Sequence, residues 1–355
     1  MTGTRVPGSF SSGSAFRLLI PAAACICAAA LALTGCTSTK SASPSHPSLS
    51  NNLQNDYERV VKTVLPSVVE ITSGAGLGSG IVWDAKGDVV TNAHVVGDAQ
   101  SFKVTLATGK SPLDATLVGS YPADDLAVIK LNKAPDGLKS AAFGDSSKVQ
   151  VGQITLAMGN PLGLSSSVTQ GIVSAVGRTV NEGGQNGGGA TIGNMVQTSA
   201  AINPGNSGGA LVNLSSQVIG IPTLAATDPE LGGGTAPGIG FAIPASTVSN
   251  IAGQLVKYGK VTASGRAALG ITARTVLNNS LQPAGVAVVA VAKGGPADKA
   301  GIRAGDIITK IDDTQITTDS ALSEALAALK PGDKTNVTYD RDGTAKTAAV
   351  TLGQL

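Results

Sequence analysis

From about residue 58 the chain alternates between short apolar runs and clusters of turn-forming residues. The runs are rich in Val, Ile and Thr: SVVEIT (67–72), SGIVW (79–83), DVVTNAHVV (88–96), FKVTL (102–106), LAVIKL (126–131), GIVSAV (171–176) and SQVIGIPTL (216–224). Gly, Pro, Asn and Asp separate them, a pattern that predicts the strands of a barrel or sandwich. Asp84-Ala85-Lys86-Gly87 predicts a hairpin loop between two of these strands. The stretches 181–189 (NEGGQNGGG) and 227–238 (TDPELGGGTAPG) predict mobile loops. A helical stretch over 245–258 (ASTVSNIAGQLVKY) closes this first region, and Gly259 with VTASGRA (261–267) marks a boundary. A second region, from about 265 to 355, holds strand-like GVAVVAV (285–291) and DIITKID (306–312). It also holds a helix over 319–329, with Leu322, Ala325, Leu326 and Leu329 on one face at i, i+3, i+4 and i+7. Its last feature is a hairpin turning at Asp342-Gly343.

The first 57 residues have a different texture. Arg5 and Arg17 precede an uncharged, mostly apolar run, LLIPAAACICAAALALT (18–34), and small residues follow. A basic start, an apolar middle and a small-residue end describe a secretory signal over residues 1–35. At 17 residues the apolar run is at the lower edge of membrane-spanning length, and Pro21 and the alanines argue against a retained anchor. Leu33-Thr34-Gly35-Cys36 resembles a bacterial lipobox, which implies lipidation of Cys36 and an extracytoplasmic, membrane-tethered chain. Residues 37–55 are Ser-, Pro- and Asn-rich with almost no apolar content, so residues 36–57 read as a lipidated Cys and a flexible linker. The folded regions are then 58–260 and 265–355.

Composition narrows the function. The 355 residues include 46 Gly and 17 Pro, aromatics are 3%, and charged residues are 14%. That balance suits a turn-rich β protein better than a helical bundle. Loss of residues 1–35 would remove two Arg and no acid, leaving 23 basic and 23 acidic residues. Without a basic cluster or interleaved aromatics, nucleic-acid binding is not expected. Two His and three Cys make a multi-ligand zinc site improbable, and no metal or cofactor is called for. Cys25 and Cys27 fall in the signal, so the exported regions hold no thiol for a disulfide or a nucleophile.

Gly205-Asn206-Ser207-Gly208-Gly209 is the sharpest motif. It fits the G-x-S-x-G of an α/β-hydrolase nucleophile elbow, but that fold needs a His after the Ser and none follows Ser207. The order His, acid, Ser is present instead: His94, then Asp124 or Asp125, then Ser207. A Ser hydroxyl needs a base within hydrogen-bond reach. His46 sits between residues of the linker, so His94 is the candidate base. A carboxylate must hold its tautomer, and adjacent side chains on an extended chain point opposite ways, so only one of the two Asp reaches it. Gly205 and Ser207 can offer backbone N–H groups to an oxyanion if the 205–207 loop, with Asn206 at its centre, forms a tight turn.

With these residues in place, the chain resembles the HtrA/Deg family of trypsin-like serine proteases with one C-terminal PDZ domain. The matching segments are 78–96, DDLAVIKL (124–131), 159–178, QTSAAINPGNSGGALVN (197–213) and GIGFAIPAS (238–246), in the family's order. The resemblance implies a mostly β fold: a chymotrypsin-like double β-barrel followed by a small α+β PDZ domain. It selects Asp125 as the acid, because the family's acid directly precedes the Leu/Ile-Ala pair. It implies Ile202 and Leu224 as lining of the S1 pocket, which would then take small or medium apolar side chains. Ala268-Leu269-Gly270-Ile271 and GGPADKAGIRAGDIITKID (294–312) carry the PDZ resemblance. There Leu269, Gly270 and Ile271 would form the carboxylate-binding loop for a partner's C-terminus. Two positions depart from the family pattern: Ser199 stands for Asp, and Pro222 stands for Asn. Pro222 lacks an N–H, so substrate strand pairing or loop activation there should differ.

The resemblance implies an ATP-independent endopeptidase of the cell envelope that degrades misfolded exported proteins under control of its PDZ domain, with homotrimers expected. The alternatives are a catalytically idle PDZ scaffold and a chaperone-like binder.

Overall fold

The computed structural model describes residues 49–355 apart from 75, 108, 110, 161–166, 182–190, 204 and 229–233. The expected signal, Cys36, most of the expected linker and nearly all of the 181–189 loop lie outside the described residues. Helix α1 (Leu49–Val64) takes in the end of the segment expected to be flexible. Its stripe Tyr57, Val60, Val61, Val64 runs at i, i+3, i+4, i+7 and packs into the core. The stripe straddles the boundary at residue 57, which hid its period from the sequence reading.

Six strands close the first barrel: β1 (Val68–Ser73), β2 (Gly76–Val82), β3 (Asp88–Thr91), β4 (Ser101–Leu106), β5 (Leu113–Tyr121) and β6 (Leu126–Leu131). Their order around the barrel is β1-β2-β3-β6-β5-β4, and β4 returns to β1. The 83–87 loop joins β2 to β3 as the hairpin reading requires, with Ile81 opposite Val90. Strand β6 shows why its sequence is an almost unbroken apolar run. Ala127, Ile129 and Leu131 face the barrel interior, whereas Leu126 and Val128 join a second core shared with the next barrel. Both faces are buried, so no polar alternation survives.

The second barrel is built from β7 (Ala142–Phe143), β8 (Ile154–Gly159), β9 (Ser167–Asn181), β10 (Thr191–Thr198), β11 (Ala210–Asn213), β12 (Gln217–Asp228) and β13 (Gly234–Pro244). The order β11-β8-β9-β10-β13-β12 closes through a β11–β12 pairing, and β7 adds to β12 in parallel. Much of the expected 227–238 loop is strand: Thr227 pairs with Thr235 and Asp228 with Gly234. The glycines had masked a hairpin whose ends are extended.

The run at 88–96 is not one strand. Strand β3 stops at Thr91, and a single helical turn, α2 (Ala93–Val96), follows Asn92. Val95 and Val96 read as strand formers, but Asn92 is a helix-entry residue type and the turn packs them inward instead. Helix α3 (Ala245–Tyr258) has the predicted bounds. It ends at Gly259, whose φ of 68° suits the left-handed cap. Its Val248, Ile251 and Leu255 pack with Leu126 and Ile221 in the core shared by the two barrels.

The second region has its own core, around Val286, Ile308, Val337 and Leu322. Its elements are β14 (Ala267–Ala268), β15 (Ile271–Leu277), β16 (Pro283–Val291), α4 (Pro296–Lys299), β17 (Ile307–Ile311), β18 (Thr314–Gln315), α5 (Asp319–Ala327), β19 (Lys334–Arg341), β20 (Thr344–Thr351) and β21 (Gly353–Gln354). The main sheet runs β15-β16-β17-β19-β20, which leaves β15 at an edge. The β19–β20 hairpin turns at Asp342 and Gly343, with φ of 56° and 76°. Two successive positive φ values are the signature of the tight turn that the Asp-Gly pair predicts. The fold is thus two closed six-stranded barrels and a small α+β region, as the resemblance implies.

Candidate active site

The three residues of interest arrive from different elements. His94 sits on α2, directly after β3. Asp125 ends the short 310 turn at 122–124 and precedes β6, with φ 48° and ψ 44°. Asp tolerates that left-handed conformation better than most side chains. Ser207 lies on the turn before β11, so it belongs to the second barrel.

Asp125 and His94 meet twice. The His94 ring nitrogen Nδ1 is 2.8 Å from Asp125 Oδ2, and the His94 backbone N–H donates to Asp125 Oδ1 at 2.9 Å. The carboxylate is 3% exposed and the imidazole 46% exposed, so the ring opens to solvent while its partner is sealed behind it. Thr223 Oγ1 also donates to Asp125 Oδ2, and Asn92 Nδ2 donates to the Asp125 carbonyl at 2.9 Å. A carboxylate held by three donors fixes the orientation of the ring in front of it.

Thr223 also links the Asp125 carboxylate to the Ser207 loop. Its carbonyl accepts from Ser207 Oγ at 3.2 Å. The strand is irregular here: Pro222 pairs with Ala242 and Leu224 with Phe241, which leaves Thr223 as the extra residue of a bulge. Bulges re-aim side chains beside functional sites, and they also accommodate a Pro that cannot donate. The Pro222 carbonyl is still used, accepting from Gly208 N–H at 3.0 Å.

The loop around Ser207 is tied down at nearly every peptide. Asn206 N–H donates to Asn203 O at 3.0 Å, Gly209 N–H to Asn206 O at 2.9 Å, and Ser79 N–H to Ser207 O at 2.9 Å. Gly205 takes φ 101°. A Cβ on Gly208 would lie 2.1 Å from Ser79 O and 2.4 Å from Thr91 Oγ1, so only glycine fits there. The Asn206 N–H closes the 203–206 turn, so Asn206 sits at the centre of the loop with its N–H already bonded. Among the described residues, no protein acceptor takes the N–H of Gly205 or of Ser207.

Asp124 goes elsewhere. It is buried, and Arg266, from the start of the second region, donates to its Oδ1 at 3.1 Å. Arg266 also donates to Thr191 O at 2.7 Å and to the Ala123 carbonyl. Burial pushes the Asp124 carboxyl above the ordinary carboxylate range, and Arg266 draws it part of the way back. The structure therefore brings Asp125, not Asp124, to His94.

The expected S1 residues are less informative. Ile202 is buried, and a Cβ on Gly240 would lie 2.4 Å from its Cγ1. The side chain of Leu224 lies outside the described residues. Ser199 engages the β9 backbone, accepting from Ile172 N–H at 3.0 Å through Oγ.

In the second region, Gly270 has φ 71°, and its carbonyl and that of Leu269 accept from Ala292 and Ala297. A cavity of about 510 Å³ lies beside this loop, between edge strand β15 and α5, with Leu269, Ile271, Leu322 and Leu326 among its lining. Sequence reading missed Thr223, Asn92, Ser79 and Arg266. In one dimension Thr223 is only a strand former and Arg266 only a charge in a weakly patterned stretch.

Residues 78–221 match the trypsin-like peptidase domain family, and residues 267–352 match the PDZ domain family. The chain is 38% identical over 332 residues to serine protease PepD of Mycobacterium tuberculosis, covering 88% of this chain and 69% of PepD. It is 42% identical over 294 residues to serine protease Do-like HtrA of Lactococcus lactis subsp. cremoris, covering 78% and 70%. It is 44% identical over 275 residues to periplasmic serine endoprotease DegP of Escherichia coli K12, covering 75% of this chain and 55% of DegP. Among solved structures it resembles a serine endoprotease from Yersinia pestis, with TM-score 0.55, 34% identity and coverage of 84% and 98%. It also resembles the HtrA-type protease AlgW with a decapeptide, with TM-score 0.57, 30% identity and coverage of 84% and 98%.

Proposed function

The chain belongs to the HtrA/Deg family of trypsin-like serine endopeptidases, and on that footing we propose that His94, Asp125 and Ser207 carry its catalysis. Ser207 Oγ attacks the scissile carbonyl. His94 takes the hydroxyl proton and returns it to the leaving amine, and Asp125 steadies the imidazolium formed between those steps. The N–H groups of Gly205 and Ser207 stabilise the oxyanion. The observation that carries this reading is the buried Asp125 carboxylate bonded to both the His94 ring and its backbone.

The substrates are misfolded or damaged exported proteins, met on the outer side of the cell membrane, where Cys36 carries the lipid that tethers the chain. The periplasmic location of the DegP relatives supports an extracytoplasmic site of action. The 265–355 domain takes the C-termini of such chains by strand addition at β15, with the carboxylate on the Leu269-Gly270-Ile271 loop, and this occupancy regulates the protease. An apolar cavity beside an edge strand favours that mode. Homotrimers are the assembly that the family suggests.

A fluorophosphonate probe tests the catalytic reading. It should label the wild-type chain and not Ser207→Ala, which should lose on the order of 10⁶ in kcat on an unfolded protein substrate. A wild-type chain that takes no label, yet keeps a model substrate from aggregating, would overturn the reading in favour of a chaperone-like binder.

A further inference from the structure

Ser79 is fully buried on β2, and the roles above leave its hydroxyl unused. That hydroxyl donates to Gly205 O at 2.5 Å and accepts from Asn160 N–H at 2.9 Å. Its own carbonyl accepts from Thr91 Oγ1 at 2.6 Å, and its own N–H holds Ser207 O. Ser79 belongs to the first barrel, whereas Gly205, Ser207 and Asn160 belong to the second.

We infer that Ser79 is a positioning residue for the oxyanion hole, an inference that rests on the roles proposed for Gly205 and Ser207. The peptide joining Gly205 to Asn206 is pinned at both ends: its carbonyl by Ser79 Oγ and its N–H by Asn203 O. With that plane fixed, only rotation about the two bonds at the Gly205 Cα can redirect the Gly205 N–H. Glycine at positive φ has no Cβ to hold it to one conformation, so a Gly205–Asn206 peptide free to rotate would carry the N–H with it, and the restraint on that peptide must come from its neighbour. Ser79 supplies it, and through its backbone N–H it also fixes the peptide that follows Ser207. A hydroxyl has one proton to donate, and here it is spent on Gly205 O while a lone pair serves Asn160. Ser79→Ala strands both partners in a buried site, and Gly205 O relieves itself by rotating its peptide.

The test uses the full chain as Ser79→Ala and as Ser79→Cys, which replaces the hydroxyl with a weaker and slightly larger donor. Each is compared with wild type at equal numbers of active sites, counted by fluorophosphonate labelling to completion, so that any unfolded fraction drops out. Outright loss of one oxyanion donor costs about 10²–10³ in kcat, so a loosened one should cost about 10- to 100-fold in Ser79→Ala and less in Ser79→Cys. KM should stay within about twofold, because the perturbed group is used in the transition state and not in ground-state binding. Affinity for a peptide boronate, whose tetrahedral adduct places an oxygen in the hole, should fall with kcat. The pH midpoint of kcat should stay where it is in wild type, since the His94–Asp125 pair is untouched. A kcat per site within about twofold of wild type in Ser79→Ala overturns the inference, and so does a pH midpoint that moves with the rate. A wild-type chain that takes no label sinks the catalytic reading itself, which separates the two failures.

Discussion

Arg266→Met removes a guanidinium from a buried carboxylate and keeps most of the side chain's bulk. Asp124 is 5% exposed at its side chain and Arg266 20%, and Asp124 Oδ2 has no hydrogen-bond partner among the described residues. Breaking such a pair leaves an uncompensated charge, at a cost of about 3–5 kcal/mol. Protonation caps that cost. Forcing a proton onto a carboxyl of ordinary pKa costs about 5 kcal/mol near pH 7.5 but only about 1.5 kcal/mol near pH 5. The bonds lost to Ala123 O and Thr191 O add roughly 1–3 kcal/mol at either pH. The sign follows from linkage. The folded-state pKa of Asp124 is raised above its unfolded value by burial, so stability is greatest below the unfolded pKa and falls as pH rises through the folded one. Arg266 limits that fall, and its removal extends the fall to higher pH. The stability gap between wild type and variant should therefore be about 2 kcal/mol or more wider near pH 7.5 than near pH 5. Urea unfolding followed by the fluorescence of Trp83, the single Trp and a residue of the first barrel, measures it. Adding Asp124→Asn to the variant should flatten the pH dependence of the gap. A gap of equal size at both pH values refutes the reasoning.

Asp125→Asn should lower kcat on a peptide substrate by about 10⁴, while Asp124→Asn stays within a few-fold of wild type; the reverse result would reassign the acid. Gly208→Ala should yield a chain without measurable peptidase activity and with a lower Tm, because a Cβ there lies 2.1 Å from Ser79 O at a φ of 81°. In the PDZ domain, Asp306 is buried, yet the Arg341 guanidinium and the Arg303 N–H together hold its carboxyl below the ordinary range. Its contribution is therefore present above about pH 4 and lost as pH falls through the depressed pKa. Arg341→Ala should destabilise this domain at neutral pH and move its acid unfolding to higher pH, read by circular dichroism of the full chain.

Where one face or both faces of a strand are buried, the sequence pattern was sufficient. LAVIKL at 126–131 coincides with β6, ASTVSNIAGQLVKY with α3, and Asp342-Gly343 with the hairpin turn. Each is a local signal: apolar period, a Gly cap, a residue pair suited to positive φ. What was illegible depends on contacts distant in the chain. By residue type and spacing Asp124 and Asp125 are equivalent, and only the family resemblance pointed to Asp125; the physical reason for the difference is the left-handed turn at Asp125 and the Arg266 clasp on Asp124. Thr223 acquires its role from a one-residue bulge that no propensity marks. The helical turn that carries His94 was concealed by two valines whose burial, not their strand preference, decided the local conformation.

These long-range contacts share a location. His94, Asp125 and Ser79 belong to the first barrel, whereas Ser207, Thr223 and Asn160 belong to the second. The hydrogen bonds from Thr223 to Asp125 and from Ser79 to Gly205 and Ser207 therefore cross the seam between the barrels. The apolar core beneath that seam, with Leu126 and Val128 from one side and Met158 and Ile221 from the other, holds the two halves in register. A core side chain of this seam thus has two effects when truncated. It lowers stability through the cavity it leaves, and it loosens hydrogen bonds whose geometry must be kept within a few tenths of an ångström for catalysis. Barrel closure alone cannot supply the second, because each barrel carries only part of the site. Activity should therefore be lost by small separations of the barrels that leave both of them folded.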